Sequence, residues 1–249
     1  MKKKYVSKIF FMSLVSASLF VIAKFYFHDL GWEPIEQSSL HNAAVSSVIF
    51  VMGFLLSATI SDYKESERIP AEFAANLEDM YDDAASIHQS YEVFDLAAFR
   101  TQLKHIAEGF AKDARQSSYD ARKDIRKLTP FYVDMEKGKV PPNFIVKLKQ
   151  QQTTLLRLRH RVNYIQRIKF IPSATLLGRT IVVFILVLLL LTNVDPFYGS
   201  MAIVGIVSYV LIFMLLLIDV ISIPFQEEGK TRDDVSLFLL EDAAEYLSK

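Results

Sequence analysis

The sequence has no cysteine, and this absence removes several classes of protein from consideration. Disulfide bonds, thiolate zinc sites, iron–sulfur clusters and cysteine nucleophiles all require that side chain. The chain also has no excess charge, because its 28 basic residues balance 28 acidic ones. Nucleic-acid binding needs a basic surplus to neutralise phosphates, so we expect no nucleic-acid partner.

Patterns typical of catalysis or metal binding are also missing. There is no glycine-rich phosphate loop and no nucleophile elbow. The five histidines lack the spacing of metal ligands; they are His28, His41, His88, His105 and His160. An acidic run at 78–83, "EDMYDD", is more typical of a solvated helix face than of a cation site. The sequence therefore predicts no metal, no cofactor and no enzymatic activity.

The sequence does contain four apolar blocks, at about 6–27, 41–61, 174–193 and 200–221. Each is long enough to cross a bilayer, because roughly 20 apolar residues span a hydrocarbon core ~30 Å thick. The first block has a basic start and could instead be a cleaved signal peptide. Its apolar stretch is long, however, and no small-residue cleavage site follows it. We therefore expect an all-α integral membrane protein with four transmembrane helices.

The distribution of basic residues predicts the orientation of the chain. Lys2, Lys3, Lys4 and Lys8 surround the start of the first block. The two short connections between blocks, "HDLGWEPIEQSS" and "NVDPFYG", contain neither Lys nor Arg. Because positive residues favour the cytoplasmic side, both termini are expected in the cytoplasm. The expected location is the plasma membrane, as a bacterial inner-membrane protein.

The long segment between the second and third blocks reads as a helical cytosolic domain. Its apolar residues recur at three- and four-residue spacings, with turn signals at Thr129-Pro130 and in "EKGKVPPN". Its start is mostly acidic and its remainder mostly basic, which predicts helices that pair within or between subunits. The predicted organisation is 1–61 with the first two spans, 62–173 as the cytosolic domain, 174–222 with the last two spans, and 223–249 as a cytosolic C-terminal segment.

The second block, "SSVIFVMGFLLSATISDYKESER", passes from an apolar run into dense charge without a turn signal. At 100° per residue, one narrow arc carries small, polar and aromatic residues; these are Ser39, Asn42, Ser46, Phe50, Gly53, Ser57 and Lys64, with Phe54 and Ser61 at its edge. Such a stripe predicts either tight helix packing through small residues or the lining of a water-filled path. Its continuation towards Lys64 and Arg68 favours the path.

Four segments in register resemble the bestrophin family of pentameric ion channels. "IFVMGFLLS" is similar to the neck segment of the family's pore-lining second span, and "FIPSATLLGRTIVVFILVLLL" to the start of its third span. "VDPFYGS" resembles the outer link between the third and fourth spans, and "IDVISIPFQEEGKTRDDVSL" the segment after the fourth. The resemblance implies a homopentamer arranged around the second span.

The resemblance also implies roles for particular residues. Phe50 and Phe54 would form a hydrophobic neck, with Ser46, Gly53 and Ser57 on the same stripe. Ser46 departs from the family, whose members generally have an aliphatic residue there. Val140 would form a second constriction in the cytosolic domain.

The acidic residues after the fourth span stand where animal bestrophins bind calcium; they are Glu227, Glu228, Asp233 and Asp234. Calcium takes six to eight oxygen ligands, and Lys230 and Arg232 lie between these acids. A belt in which Pro224-Phe225 packs on a neighbouring subunit is therefore the favoured reading of this segment.

The resulting hypothesis is a homopentameric passive ion channel, with small inorganic ions and the lipid bilayer as its partners. The alternative is a membrane scaffold or sensor whose cytosolic helices bind another protein. A transporter would need an ionisable group near the bilayer midplane, whereas Lys24, Arg179 and Asp219 lie near the predicted span ends. The sequence does not separate anion from cation conduction, and a chloride channel is one of the candidates.

Overall fold

The computed structural model describes residues 6–115, 120–167, 172–225 and 234–248, which fold almost entirely into helices. The helices are α1 (Val6–Asp29), α2 (Ser39–Tyr91), α3 (Leu96–Arg115), α4 (Arg122–Arg126), α5 (Thr129–Lys137), α6 (Pro142–Arg167), α7 (Pro172–Leu191), α8 (Phe197–Ile221) and α9 (Phe238–Tyr246). Two short strands, β1 (Ile35–Glu36) and β2 (Thr192–Asn193), pair in parallel.

The described residues form two compact units. The membrane unit consists of 6–63 and 172–223, and the extramembrane unit of 64–115, 120–167, 224–225 and 234–248. Four helices are long and apolar enough to cross a membrane, with bounds of Lys8–Asp29, Ser39–Tyr91, Ser173–Leu191 and Phe197–Ile221. The prediction of an all-α membrane protein with four transmembrane helices is confirmed.

The membrane unit is held together by an apolar cluster on α2, α7 and α8. Met52 is completely buried at its centre, against Val182, Ile185, Leu211 and Ile218. Half-buried aliphatic residues of the same three helices complete the contact. Burial of this face of α2 decides which of its faces stays exposed.

Helix α2 has 53 residues, a length of about 80 Å at 1.5 Å per residue, and contributes to both units. The sequence suggested an uninterrupted helix only as far as Pro70, because a proline inside a helix removes one backbone hydrogen bond. The helix instead continues to Tyr91. Ile69 and Pro70 are both buried, so packing of this turn offsets the missing hydrogen bond.

The extramembrane unit has an aromatic and aliphatic core of its own. Phe73 on α2 and Phe110 on α3 are fully buried and stack with their ring centroids 3.8 Å apart. Oppositely charged helices pair within one chain, which is one of the two arrangements that the charge pattern predicted: Lys147 contacts Asp83 at 2.6 Å, and Arg161 contacts Glu65 at 2.8 Å.

A second kind of ion pair in the extramembrane unit is buried. The Arg159 Nε donates to Asp113 Oδ2 at 2.7 Å, and both side chains are about 95% covered, with exposures of 6% and 5%. Asp120 lies 3.3 Å from the same guanidinium. A hydrogen bond from Arg122 lowers the pKa of the Asp120 carboxyl, so this carboxylate stays charged beside Arg159.

Candidate functional site

The stripe predicted on α2 is the exposed face of this helix. Phe50 and Phe54 are 76% and 69% exposed, which is unusual for side chains flanked by a packed helix face. Ser46 and Ser57 are exposed on the same side. A Cβ built on Gly53 would meet no atom within 4 Å. Packing within one chain therefore leaves all five predicted neck residues free to line a path or to meet another copy of the chain.

The opposite face of α2 explains this orientation. Met52 lies one position before Gly53 and has no exposed surface. Thr59 is also buried, and its hydroxyl donates to the Leu55 carbonyl at 2.8 Å. Because consecutive residues are 100° apart on a helix, burying Met52 against α7 and α8 turns Phe50 and Phe54 outward.

Two serine hydroxyls on this face do not bond to their own helix. Ser47 and Thr180 satisfy their hydroxyls by donating to backbone carbonyls four residues earlier, at 2.8 and 2.9 Å. Among the described residues, Ser46 and Ser57 have no hydrogen-bond partner for their hydroxyls. A polar group facing hydrocarbon without a partner is costly. These two hydroxyls are better placed in water or against another polar surface.

The stripe is electrically neutral along the apolar part of α2, and charge begins at Asp62. In the extramembrane part of the same helix, Lys64, Arg68 and Glu72 are exposed. Positive and negative side chains therefore both follow the neutral section. The charges on α2 alone therefore do not favour anions over cations.

The burial of Val140 does not match the role expected of it. It lies between α5 and α6, with its backbone N–H donating to the Met135 carbonyl at 3.1 Å, and only 3% of it is exposed. A constriction needs a side chain that faces the lumen, whereas Val140 is covered by its own chain. Lys139 just before Val140 is exposed, as are Pro142, Asn143 and Phe144 at the start of α6. The constriction at Val140 stays a prediction, and its burial argues against it.

The acidic C-terminal segment is only partly described. Glu227, Glu228 and Asp233 lie outside the described residues, and Asp234 is half-buried at the start of the last described range. Within the described ranges, no group of three or more acidic or histidine side chains is arranged to hold a metal ion. Phe225 is 7% exposed within one chain.

A buried polar cluster near the end of α1 was missed by the sequence analysis. The fully buried Lys24 ammonium donates to Glu33 Oε1 at 2.5 Å, to the Leu190 carbonyl at 3.2 Å, and to the Thr192 carbonyl. His28 Nδ1 lies 2.7 Å from Glu33 Oε2. The available signal was a lysine inside an apolar block, followed nine residues later by a glutamate.

The Glu33 carboxyl lies outside the spans and has a shifted pKa. Burial by itself raises the pKa of this carboxyl. Hydrogen bonds from Lys24 and His28, together with their charges, outweigh burial and lower it. Glu33 therefore remains a carboxylate, and Lys24 is not left as an isolated buried charge.

Comparison with known proteins identifies the architecture. No protein-family model matches the sequence, and no curated protein is significantly similar to it. Solved structures do resemble it. A bacterial bestrophin homologue from Klebsiella pneumoniae, crystallised with a mutation, is 14% identical, superimposes with a TM-score of 0.74, and matches over 97% of both chains. Another mutant of that homologue is 13% identical, with a TM-score of 0.72 over 96% of both chains.

A third crystal structure, described as that of a mutant membrane protein, is 13% identical, with a TM-score of 0.74 over 97% of each chain. Similarity at this level of identity concerns the fold. The chain thus has a bestrophin-like fold over nearly its whole length, as its sequence motifs predicted.

Proposed function

We propose that this chain is the subunit of a passive ion channel, with the exposed stripe of α2 lining the pore. The observation that carries the proposal is the pairing of exposed Phe50 and Phe54 with Ser46 and Ser57, whose hydroxyls have no partner among the described residues. The bestrophin-like fold supports it. The pore would lie in a bacterial inner membrane, with both termini in the cytoplasm.

Exposure of phenylalanine alone does not identify a pore. Phe184 on α7 is as exposed as Phe54, at 69%. One turn away from Phe184, however, the Thr180 hydroxyl is bonded to its own helix, as expected in lipid. The serines beside Phe50 and Phe54 make that face suited to water, interrupted by two aromatic rings.

The proposed mechanism is control of ion flow by hydration of the neck. Rings of Phe50 and Phe54 around an axis would form a short apolar constriction, and such constrictions gate by losing water. Ser46 on one side and Ser57 on the other would hydrate an ion before and after this barrier. Gly53 lets neighbouring copies of α2 approach the axis, because no side chain occupies its position.

One helix cannot enclose a path, so the proposal requires an assembly. Cyclic symmetry places the same face of every copy around one axis, and we propose five copies, as the bestrophin resemblance implies. The mass of the assembly in detergent, measured by light scattering, should correspond to five chains of 28.5 kDa. A monomer under conditions that preserve the fold would contradict this arrangement.

The test of conduction is ion flux through purified full-length protein in planar bilayers under a salt gradient. We expect discrete currents, whose reversal potential gives the sign of the favoured ion. Replacing Phe50 and Phe54 together with alanine should widen the neck and raise the open-channel current several-fold. Phe184→Ala is the matched control, because it removes an equally exposed ring from α7.

Two outcomes would count against the proposal. An unchanged current in the double variant, with the assembly intact, would place the constriction elsewhere. Absence of current from both proteins would favour the scaffold or sensor alternative. That alternative is supported by the exposed acidic residues of α2 beyond the membrane, such as Asp79 and Asp82, which a basic partner could contact.

A further inference from the structure

The exposed face of α2 is one unbroken stripe. Exposed residues follow one another along it at intervals of three or four positions. They are Ser46, Phe50, Phe54, Ser57, Ser61, Lys64, Arg68, Glu72, Ala75, Asp79, Asp82 and Ser86. The mean interval is about 3.6 residues, the period of an α-helix. The stripe that carries the proposed neck residues therefore continues along α2 for about 48 Å beyond Phe54, at 1.5 Å per residue.

Packing on the opposite side of α2 keeps this stripe exposed. Phe73, Leu77 and Met80 have no exposed surface and belong to the core of the extramembrane unit. They do for this part of the helix what Met52 does in the membrane unit. In both units, burial of the other side of α2 turns the stripe away from the core of the chain.

Charge on the stripe is separated by sign. Counted along α2 from the neck, Lys64 and Arg68 come first, and we call them the basic zone. Glu72, Asp79 and Asp82 follow, and we call them the acidic zone. The two zones are about 6 Å apart along the helix, at 1.5 Å per residue. The stripe thus has two adjoining sections of opposite charge.

The charges of both zones are left without a counter-charge in the single chain. No member of either zone has an ion-pair partner among the described residues. Asp82 accepts only a long hydrogen bond, 3.4 Å from the Tyr246 hydroxyl. Beside the stripe, by contrast, Glu65 pairs with Arg161 at 2.8 Å. Like charges one turn apart, as in the basic zone, slightly destabilise a helix. Stability of the chain therefore does not account for the two zones.

We propose that the two zones make the channel rectify, so that it carries more current in one direction than in the other. This inference rests on the proposed function, in which five copies turn the stripe towards a common axis. The basic zone would then form two rings of positive charge, and the acidic zone three rings of negative charge. Charges of one sign around a lumen concentrate mobile ions of the opposite sign. Anions would carry most of the current through the basic zone, and cations through the acidic zone.

The dependence on direction follows from the order of the zones. An electric field directed from the acidic zone to the basic zone drives both kinds of carrier towards the boundary between Arg68 and Glu72, where they accumulate. The reverse field drives both away and depletes the boundary of carriers. The larger current should therefore flow when the extramembrane end of α2 is at the positive potential. Neither anions nor cations are favoured overall, because the two zones lie in series.

The charged zones are tested first without any current. Because the chain has no cysteine, single thiols can be placed at Ser61, beside the basic zone, and at Ala75, within the acidic zone. Each full-length variant, assembled in lipid nanodiscs, reacts with an anionic or a cationic methanethiosulfonate, and rates are normalised to those of a free thiol. We expect Ser61→Cys to favour the anionic reagent and Ala75→Cys the cationic one, by roughly 10-fold each. The same preference at both positions would overturn the proposal.

Rectification itself is measured on single channels of the full-length protein in symmetrical salt. The ratio of the currents at equal positive and negative voltages should be roughly 2 or more at 0.1 M salt. It should approach about 1 at 1 M, because the Debye length shortens from about 10 Å to about 3 Å. Modification of Ala75→Cys by the cationic reagent from one chamber identifies the extramembrane side. Equal currents in both directions at low salt would contradict rectification and leave conduction intact.

The neck variant sharpens this measurement and separates it from the test of conduction. Replacing Phe50 and Phe54 with alanine should raise the current ratio, because a wider neck leaves more of the voltage across the two zones. A ratio of one in this variant at low salt would also overturn rectification. Absence of current from all proteins would contradict the proposed function, whereas opposite reagent preferences would still support the charged zones.

Two variants assign the effect to the stripe. Lys64→Gln combined with Arg68→Gln removes the basic zone and should bring the current ratio close to one. Glu67→Gln is the matched control, because Glu67 is an exposed charge of the same turn that lies outside the stripe. It should leave the ratio unchanged. An unchanged ratio without the basic zone, or an equal change in the control, would contradict the assignment.

Discussion

In the extramembrane unit, Phe73 and Phe110 have no exposed surface, whereas in the membrane unit Phe50 and Phe54 are 76% and 69% exposed. Phenylalanine is therefore packed inside the chain in one unit and exposed on its surface in the other. Removing the first pair from water contributes to folding of the single chain. The second pair contributes little within one chain and acquires its role from lipid, from other copies, or from a lumen. Burial in one chain thus separates residues that stabilise the fold from residues available for function.

The largest expected effect tests this separation directly. Phe110→Ala should destabilise the extramembrane unit by about 3–5 kcal/mol, because it leaves a cavity and removes the stacked partner of Phe73. Phe54→Ala should change stability by less than about 0.5 kcal/mol, as exposed positions usually do. Hydrogen–deuterium exchange of α3 amides in the full-length protein measures the first effect, and the same amides should be unaffected by the second. Equal loss of protection in both variants would show that the buried and the exposed phenylalanine contribute equally to stability.

Charged residues extend the comparison, because each unit also buries an ion pair. Arg159→Met should cost about 3 kcal/mol, since it leaves Asp113 buried without its guanidinium. The matched control is Arg161→Met, on the same helix as Arg159. It breaks an exposed ion pair with Glu65 of α2 and should lower the free energy of unfolding by about 0–1 kcal/mol. Urea-dependent exchange of α6 amides distinguishes the two. Similar costs for both would show that Asp113 is solvated once its partner is removed.

The sequence was sufficient for the features that depend on local pattern. The four spans follow from apolar block length, and the exposed stripe containing Phe50 and Phe54 follows from helical periodicity. The continuation of α2 beyond Pro70 was not predictable in this way, because it depends on burial of that turn against other helices. Contacts between distant residues were equally hidden, since His41 and Thr192 are 151 positions apart and Arg159 and Asp113 are 46 apart.

Val140 shows that the position of a residue in a motif does not predict its burial either. The bestrophin resemblance implies a constriction at Val140, and within one chain this side chain is buried between α5 and α6. Motif position can suggest which segment matters. It does not determine which side of the segment faces the protein's own core.

The smallest of these effects concerns pH and the ion pair of the membrane unit. Because Lys24 and His28 lower the pKa of Glu33 in the folded protein, the unfolded chain binds a proton at higher pH than the folded one. Stability from this carboxylate is fully present above the ordinary glutamate pKa of about 4.3. It is lost as the pH falls through the lowered value. The melting temperature of the full-length protein should therefore decrease on acidification in this range.

Replacing Glu33 with glutamine identifies the contribution of this group. Glu33→Gln should lower the melting temperature at neutral pH, because Lys24 loses its buried counter-charge, and should flatten the acidic part of the pH dependence. Glu36→Gln is the matched control, since Glu36 is exposed three residues later on β1 and should leave the curve unchanged. If Glu33→Gln retained the wild-type pH dependence, the lowered pKa of Glu33 would not be a source of stability. The Lys24 ammonium would then be held mainly by the Leu190 and Thr192 carbonyls, in contrast to Arg159, whose partners are the Asp113 and Asp120 carboxylates.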